Sequence, residues 1–205
     1  MIILHHLRIG RSVFTAWLLE EMGLDYALEI YERDAMARAP QALKTPHPLG
    51  KSPVIEDDGM TIAESGAIAA WLVRKYDTQN RFGPLADDDA AWIAWTQWLH
   101  YPEGSAFAPL LLKLLLSREE KPHPKLISAF ADGEVALHLG YMEDFLGDKP
   151  FWLGARFAAP DIGMTYITNL AHRLGVLEGY PKLQAYRERN MARPAFVRAV
   201  ERTGG

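Results

Sequence analysis

The chain has 205 residues, 49% of them hydrophobic and 23% charged, which is ordinary for a globular protein with one sizeable core or two smaller ones. Its formal net charge of −4 provides no global basic field, which argues against nucleic acid as a main partner. It contains no cysteine, which excludes disulfides, cysteine metal sites and a protein thiol as nucleophile.

The first residues, Met1–His6, lack the cationic region and the long apolar run of a signal peptide. No apolar run approaches the ~20 residues that span a bilayer. We therefore expect a cytoplasmic protein with no membrane partner.

Residues 1–76 alternate between strand and helix signals. Strands are predicted at Ile2–His6 and Tyr26–Tyr31, with a helix at Val13–Glu21 between them. The segment Pro53–Ile68 then predicts two short strands joined by an Asp-Gly turn and followed by a helix. This order is βαβ followed by ββα and is typical of a thioredoxin-like layer.

Two local signals refine this half of the chain. Gly23 directly follows the first predicted helix, where a left-handed cap is expected. A short, weak helix is predicted at Asp34–Ala39, before Pro40.

Residues 77–86 are rich in turn formers and are predicted to link two domains. Residues 87–205 are predicted to form an all-α domain. Its helical segments are expected at Asp87–Leu116, with a break at Pro102, and at Pro124–Leu146, Asp161–Leu174, Tyr180–Asn190 and Pro194–Arg202.

Apolar side chains at spacings of three and four predict which faces of these helices meet the core. The residues concerned are Trp92, Trp95, Leu99, Leu137, Tyr141 and Phe145.

The segment Pro48–Ile68 carries the strongest functional signal in the chain. If the Ser52–Pro53 bond is cis, the amide and carbonyl of Ser52 turn outward and can pair with a peptide ligand that lies like an added strand. Ser65 opens the next helix, where its hydroxyl and a free backbone N–H can bind a carboxylate.

Three parts of the chain, in their order along it, resemble bacterial and fungal glutathione transferases. They are His5–Ser12 with Trp17–Tyr26, the segment Pro48–Ile68, and Trp98–Ser105 on the first long helix. Members of that subgroup carry Ser-Arg-Ser before the first helix, and the first serine of the motif is Gly10 here. The resemblance implies the glutathione transferase fold, in which a thioredoxin-like α/β amino-terminal domain precedes an all-α carboxyl-terminal bundle.

The resemblance implies that the thiolate of glutathione is conjugated to a small hydrophobic electrophile, with glutathione peroxidase activity as a further expectation. A free thiol is mostly protonated at neutral pH, so hydrogen bonds to the anion must lower its pKa. Ser12 at the start of the first helix is a candidate donor to the sulfur, and its alternative role is a helix N-cap. Arg11 could supply positive charge instead, and its alternative is a solvated side chain.

Other residues are expected to bind glutathione itself. The resemblance assigns the γ-glutamyl end to Glu64 and Ser65, the main chain to the Ser52–Pro53 turn, and the glycine carboxylate to Lys51 and His47. A pocket for the electrophile between the domains is expected to be lined by Leu7, Ile9, Tyr101, Glu103, Ser105 and Phe107.

One position departs from the family pattern. The aspartate that opens the helix after Trp152-Leu153-Gly154 is present as Asp161, but the hydroxyl residue three positions before it is Ala158. We expect this loss of a reciprocal helix cap to affect stability and not chemistry.

Three functions from different classes stay open: a transferase, a non-catalytic glutathione-binding module, and a glutathione-dependent isomerase or dehalogenase. The seven histidines show no zinc-ligand spacing, so no metal is expected. The resemblance also implies a homodimer.

Overall fold

A four-stranded mixed sheet organises the amino-terminal part of the chain in the computed structural model, which describes residues 1–204. The strand order is β2-β1-β3-β4, with β1 parallel to β2 and the other neighbours antiparallel. The strands are β1 Ile2–Leu7, β2 Tyr26–Tyr31, β3 Val54–Asp57 and β4 Met60–Ala63.

Helices account for most of the remaining regular structure. They are α1 Ser12–Met22, α2 Ser65–Tyr76, α3 Asp89–Tyr101, α4 Phe107–Leu116, α5 Lys125–Leu146, α6 Ala159–Arg173, α7 Pro181–Met191 and α8 Pro194–Thr203. The predicted thioredoxin-like layer followed by a helical domain is confirmed.

The chain divides into two units, of which the first contains residues 1–83 together with the segment from Met191 onward. The last helix, α8, thus belongs with the sheet, whereas the sequence grouped it with residues 87–205. Trp17 of α1 packs edge-on against Phe196 of α8, with ring centres 5.2 Å apart. Arg193, just before α8, forms a bidentate ion pair with Glu21 of α1.

The two local signals noted in this half of the chain, the cap at Gly23 and the short helix before Pro40, have different outcomes. Gly23 caps α1 in the left-handed region, as predicted, with a φ of 68°. The short helix predicted at Asp34–Ala39 is wrong. The Asp34 carboxylate accepts hydrogen bonds from the amides of Met36 and Arg38 and closes a turn there, and a 3-10 helix follows at Gln41–Lys44.

Residues 84–190 form the second unit, which is helical. The break predicted at Pro102 is confirmed: α3 widens into a π-helical segment at Pro102–Ala106 before α4 begins. Pro102 lacks the amide that an α-helical hydrogen bond would need at this point. The unit's core contains large side chains from several helices, among them Trp98, Leu110, Leu139, Trp152, Met164 and Ile167.

The predicted core stripes are partly wrong. Leu137, Tyr141 and Trp92 are 63%, 45% and 54% exposed. The buried face of α5 is formed by other residues, including Leu139 and Met142. A position two residues away from a core residue lies about 200° around the helix, so Leu137 and Leu139 face opposite sides.

None of the helices in residues 1–204 combines the length and apolarity needed to cross a membrane.

Candidate active site

Three chain segments meet at one edge of the sheet. His5 pairs with Val54 in the antiparallel β1–β3 ladder, and Val54 pairs with Ala63 in the β3–β4 ladder. The carboxyl ends of β1 and β4 and the amino end of β3 therefore lie side by side. This register brings the loop after β1, the turn at Ser52 and the start of α2 at Glu64 to the same edge.

The turn at Ser52 is fixed to β1 through its side chain. The Ser52 hydroxyl donates to the carbonyl of His5 at 2.8 Å and accepts from the amide of Leu7 at 3.2 Å. The Ser52–Pro53 peptide bond is cis. Within the described part of the chain, neither the amide nor the carbonyl of Ser52 joins a backbone hydrogen bond, so both remain available to an extended ligand.

Glu64 and Ser65 form the junction between β4 and α2. Glu64 is exposed and adopts a φ of 72°, in a region that residues other than glycine rarely occupy. Ser65 is the first residue of α2, and no side chain caps this helix. Its hydroxyl and the free amides of the first turn therefore offer donors to an anion, which the helix dipole also favours.

Two further candidates lie on the loop that leads into the turn at Ser52. Lys51 is exposed. His47 is half-buried, and its Nδ1 atom is buried without a hydrogen-bond partner in the residues that the structure describes. An unsatisfied buried nitrogen is costly, which makes His47 a good candidate for a ligand contact.

Ser12 occupies a different environment from the one predicted. Its side chain is fully buried, and its hydroxyl hydrogen-bonds to Nδ1 of His6 at 2.9 Å. The expectation that Ser12 caps α1 is wrong, because Ser12 is the first helical residue and Arg11 holds the N-cap position. The contact between Ser12 and sulfur stays a prediction, and the burial of the hydroxyl argues against it.

The loop between β1 and α1 presents other groups. Arg11 is half-buried at the N-cap of α1. Ile9 is 67% exposed, whereas Leu7 is 7% exposed and belongs to the core of the first unit. Of these two pocket candidates, Leu7 at the end of β1 and Ile9 in the loop, only Ile9 presents an apolar side chain at the surface.

The candidates in the second unit lie around the π-helical segment. Tyr101 is half-buried, and its hydroxyl hydrogen-bonds to Nδ1 of His138 at 2.6 Å. Burial, with a smaller contribution from the neighbouring Tyr141, raises the pKa of Tyr101 to about 12. Phe107 packs against Tyr166 with ring centres 5.9 Å apart.

The last two pocket candidates, Glu103 and Ser105, are half-buried within the π-helical segment itself. A widened helical turn of this kind is frequent at functional sites.

Sequence reasoning missed three residues that make specific contacts here: His6, Arg33 and His138. His6 could have been found, because alternation along β1 places its side chain on the opposite face from that of His5. The contacts of Arg33 and His138 are long-range and leave no local pattern. Across residues 1–204, no cluster of three His, Asp or Glu side chains is arranged to hold a metal ion.

Comparisons with known proteins agree with this arrangement. Residues 1–74 match the family model of the glutathione S-transferase amino-terminal domain. The chain is 34% identical over 185 residues to glutathione S-transferase 3 of Schizosaccharomyces pombe, an alignment that covers 84% of this chain and 75% of the relative.

Solved structures show the same likeness. A glutathione S-transferase from Actinobacillus pleuropneumoniae superposes with a TM-score of 0.89 at 32% identity, over 100% of this chain and 94% of the other. A glutathione transferase homologue from Lodderomyces elongisporus, described with two glutathione molecules per subunit, shares the fold with a TM-score of 0.83 at 19% identity, over 98% and 97% of the two chains. The chain belongs to the glutathione S-transferase family.

Proposed function

We propose that this protein conjugates the thiolate of glutathione to small hydrophobic electrophiles. The observation that carries the proposal is the position of the open main-chain groups of Ser52 next to the uncapped start of α2 at Ser65. A peptide bound along Ser52 would pair with the main chain of the turn before β3, and its carboxylate would reach the amino end of α2. Glutathione has both features, since it is a peptide with a free carboxylate at each end.

The charged groups of glutathione suggest which residues contact the rest of the ligand. Ser65 binds the γ-glutamyl carboxylate, and Glu64 binds the γ-glutamyl amino group. Lys51 and His47 bind the glycine carboxylate, and the Ser52–Pro53 turn pairs with the main chain of the tripeptide. Each charge of the ligand thus meets an opposite charge or a hydrogen-bond donor.

The thiol is ionised by the first turn of α1. The amides of Ser12 and Val13 have no acceptor within the helix, and the helix dipole favours an anion next to them. Arg11 adds positive charge at the same helix end. Hydrogen bonds and charge that favour the thiolate lower its pKa, so that a larger fraction is ionised at neutral pH.

In the reaction, the thiol loses its proton to solvent and the sulfur attacks an electrophilic carbon. A carbon–sulfur bond forms, and the electron pair of the bond that breaks departs with the leaving group or moves into a conjugated acceptor. Ile9, Tyr101, Glu103, Ser105 and Phe107 are the residues proposed to contact the electrophile. Peroxidase activity would use the same thiolate to attack an oxygen atom of a hydroperoxide, so that a sulfur–oxygen bond forms, the oxygen–oxygen bond breaks and the alcohol leaves. A second glutathione then displaces water from the resulting sulfenic acid and gives glutathione disulfide.

The protein is also proposed to form a homodimer in the cytoplasm. Glutathione keeps thiols reduced in that compartment. The second unit exposes several large apolar side chains on α3 and α5, including Trp92, Phe130, Leu137 and Tyr141, and a second copy would cover them. Elution at monomer size at micromolar concentration would contradict this assembly.

Retention on immobilised glutathione, followed by the ultraviolet absorbance of the bound thiolate against pH, tests the proposed chemistry. We expect retention and a thiol pKa below that of free glutathione. Retention with an unchanged thiol pKa would favour the non-catalytic binding module. Product analysis with an aryl halide and with a hydroperoxide then distinguishes conjugation from peroxidase activity. A lowered thiol pKa with neither product would favour an isomerase or dehalogenase that acts on another substrate.

A further inference from the structure

We propose that Arg33 is a positioning residue for the glutathione thiol. Its guanidinium holds the loop between β1 and α1 in a shape that leaves the first amides of α1 open to the sulfur. The inference rests on the proposed function and extends it to a residue outside the predicted site.

The guanidinium of Arg33 binds three main-chain carbonyls at once. Nε donates to the carbonyl of Arg8 at 3.0 Å, and Nη2 donates to that of Ile9 at 3.1 Å. Nη1 donates to the carbonyl of Ala37 at 2.9 Å. Two carbonyls of the loop are therefore tied to a third in a separate turn, and this uses the fork geometry that distinguishes arginine from lysine.

The identity of these carbonyls matters for the helix that follows. In an α-helix each amide donates to the carbonyl four residues earlier, so continued helix would pair Ser12 with Arg8 and Val13 with Ile9. Those are the two carbonyls that Arg33 binds. By binding them, the guanidinium fixes the loop directly before the first turn of α1, where the amides of Ser12 and Val13, like those at the start of any helix, have no acceptor within the helix and can bind a ligand.

The conformation at Ile9 shows why the loop needs a restraint. Ile9 has a φ of 55°, in the left-handed region that β-branched residues rarely adopt. Its side chain is 67% exposed, so little packing of its own compensates for this conformation. The hydrogen bond from Arg33 to the Ile9 carbonyl is a direct contact that holds the strained residue.

At Gly10 the loop also packs closely against the end of β1. A side chain at Gly10 would place its first carbon 2.6 Å from the carbonyl oxygen of Leu7, closer than two such atoms can approach. The chain therefore reverses sharply between β1 and α1, and small shifts there would redirect the amides.

The third contact of Arg33, to the carbonyl of Ala37, connects the guanidinium to the turn at residues 34–38. Ala37 donates its amide to the carbonyl of Asp34, and the Asp34 carboxylate accepts from the amide of Arg38 at 2.8 Å. The turn is closed by its own hydrogen bonds, so it can hold the guanidinium without support from a ligand.

The variant Arg33→Met tests the proposal, with Arg38→Met as the matched control. Arg38 lies in the same turn and is exposed, so its replacement removes the same charge from the same segment. Arg33→Met is expected to raise the thiol pKa in the glutathione complex and to lower kcat about tenfold, because misplaced donors stabilise the thiolate poorly. The KM for glutathione should change by less than about threefold, since the contacts at Ser65 remain.

Arg33→Lys should resemble Arg33→Met, because a single ammonium cannot bridge these three carbonyls. The double variant Arg33→Met/Ile9→Asn should recover part of the lost kcat. Asparagine adopts the left-handed region more readily than isoleucine and so depends less on the clamp. In the ligand-free protein, the amides of residues 10–13 should exchange hydrogen faster in Arg33→Met than in Arg38→Met.

An Arg33→Met protein with the wild-type thiol pKa, kcat and hydrogen exchange would overturn the proposal while leaving the proposed function intact. Equal losses in Arg33→Met and Arg38→Met would overturn it too, because the effect would then come from charge alone. A wild-type protein that does not retain glutathione would overturn the proposed function and this inference together. If Arg33→Met does not fold, the comparison of Arg33→Lys with its Ile9→Asn double variant decides the question.

Discussion

The hydroxyl of Ser12 lies 2.9 Å from Nδ1 of His6, and both side chains are fully buried. The pair connects the start of α1 to β1 inside the first unit. It also removes from the surface the hydroxyl that the sequence predicts as a donor to the thiol.

Ser12→Ala should therefore reduce stability more than catalysis. Removal of the hydroxyl leaves the buried Nδ1 of His6 without this partner, which is expected to cost roughly 1–3 kcal/mol in the free energy of unfolding. Urea unfolding measures this loss, and kcat for conjugation should stay within about threefold of wild type. The double variant Ser12→Ala/His6→Leu removes both partners and should lose less stability than the sum of the single variants. A Ser12→Ala protein of normal stability but with kcat reduced about 100-fold would instead support the sulfur contact.

His6 should make stability depend on pH in the acidic range. Burial, followed by the nearby charge of Arg8, lowers the pKa of His6 from its ordinary 6.5, and smaller contributions from Thr203 and Glu32 oppose this shift. The folded state therefore binds this proton less readily than the unfolded state does. The contribution of His6 to the free energy of unfolding is fully present above about pH 6.5. Below that pH it falls by at most about 1.4 kcal/mol per pH unit, until the lowered pKa is reached.

Urea unfolding between about pH 8 and pH 5 measures the effect of His6. His6→Gln, which cannot titrate, should flatten the profile in this window relative to wild type. His100→Gln is the control, because His100 is exposed on α3. An unchanged slope in His6→Gln would show that other groups set the pH dependence.

Ser65→Ala should raise the KM for glutathione. It removes a hydrogen bond to a carboxylate worth roughly 1.5–3 kcal/mol, which corresponds to about tenfold or more in KM. Steady-state kinetics with glutathione varied at saturating electrophile measure the change. Thr78→Ala, an exposed hydroxyl just after α2, is the control and should have the wild-type KM. If Ser65→Ala also had the wild-type KM, the assignment of the γ-glutamyl carboxylate would fail.

Ala158→Ser should stabilise the protein. Asp161 already accepts hydrogen bonds from the amides of Trp152 and Ala158, at 2.7 and 2.8 Å. Ala158 has the extended backbone of an N-cap residue, so a serine hydroxyl there would complete the reciprocal cap and add about 1 kcal/mol. Thermal or urea unfolding checks this, with Ala155→Ser in the exposed part of the preceding loop as the control. A destabilised Ala158→Ser protein would mean that the buried site cannot accommodate the hydroxyl.

Much of the fold follows from local signals. Most strands and helices lie close to their predicted bounds because alternation, helical spacing and capping act over a few residues. Gly23 is an example, since its position after an apolar helix is enough to predict a left-handed cap. The core faces of α5 were harder to predict. Leu137 and Leu139 are equally apolar, and only the packing of neighbouring helices decides which of them is buried.

The candidate site likewise contains residues that the sequence could predict and contacts that it could not. Residues on one continuous segment, Ser52 to Ser65, could be proposed from the sequence, because the two strands of a hairpin bring their ends together by local pairing. The partners of Ser12 and Arg33 could not, since a hydroxyl or a guanidinium binds whichever acceptor the fold brings within about 3 Å.

The sequence by itself determined the family and the order of the elements, and it predicted the segment that we propose binds glutathione, because each is written in contiguous motifs and local spacing. The tertiary structure alone decided that α8 joins the first unit, that Ser12 turns inward to His6, and that Arg33 clamps the loop before α1. These are contacts between segments distant along the chain. Their directional hydrogen bonds and packing exist only after the chain has folded.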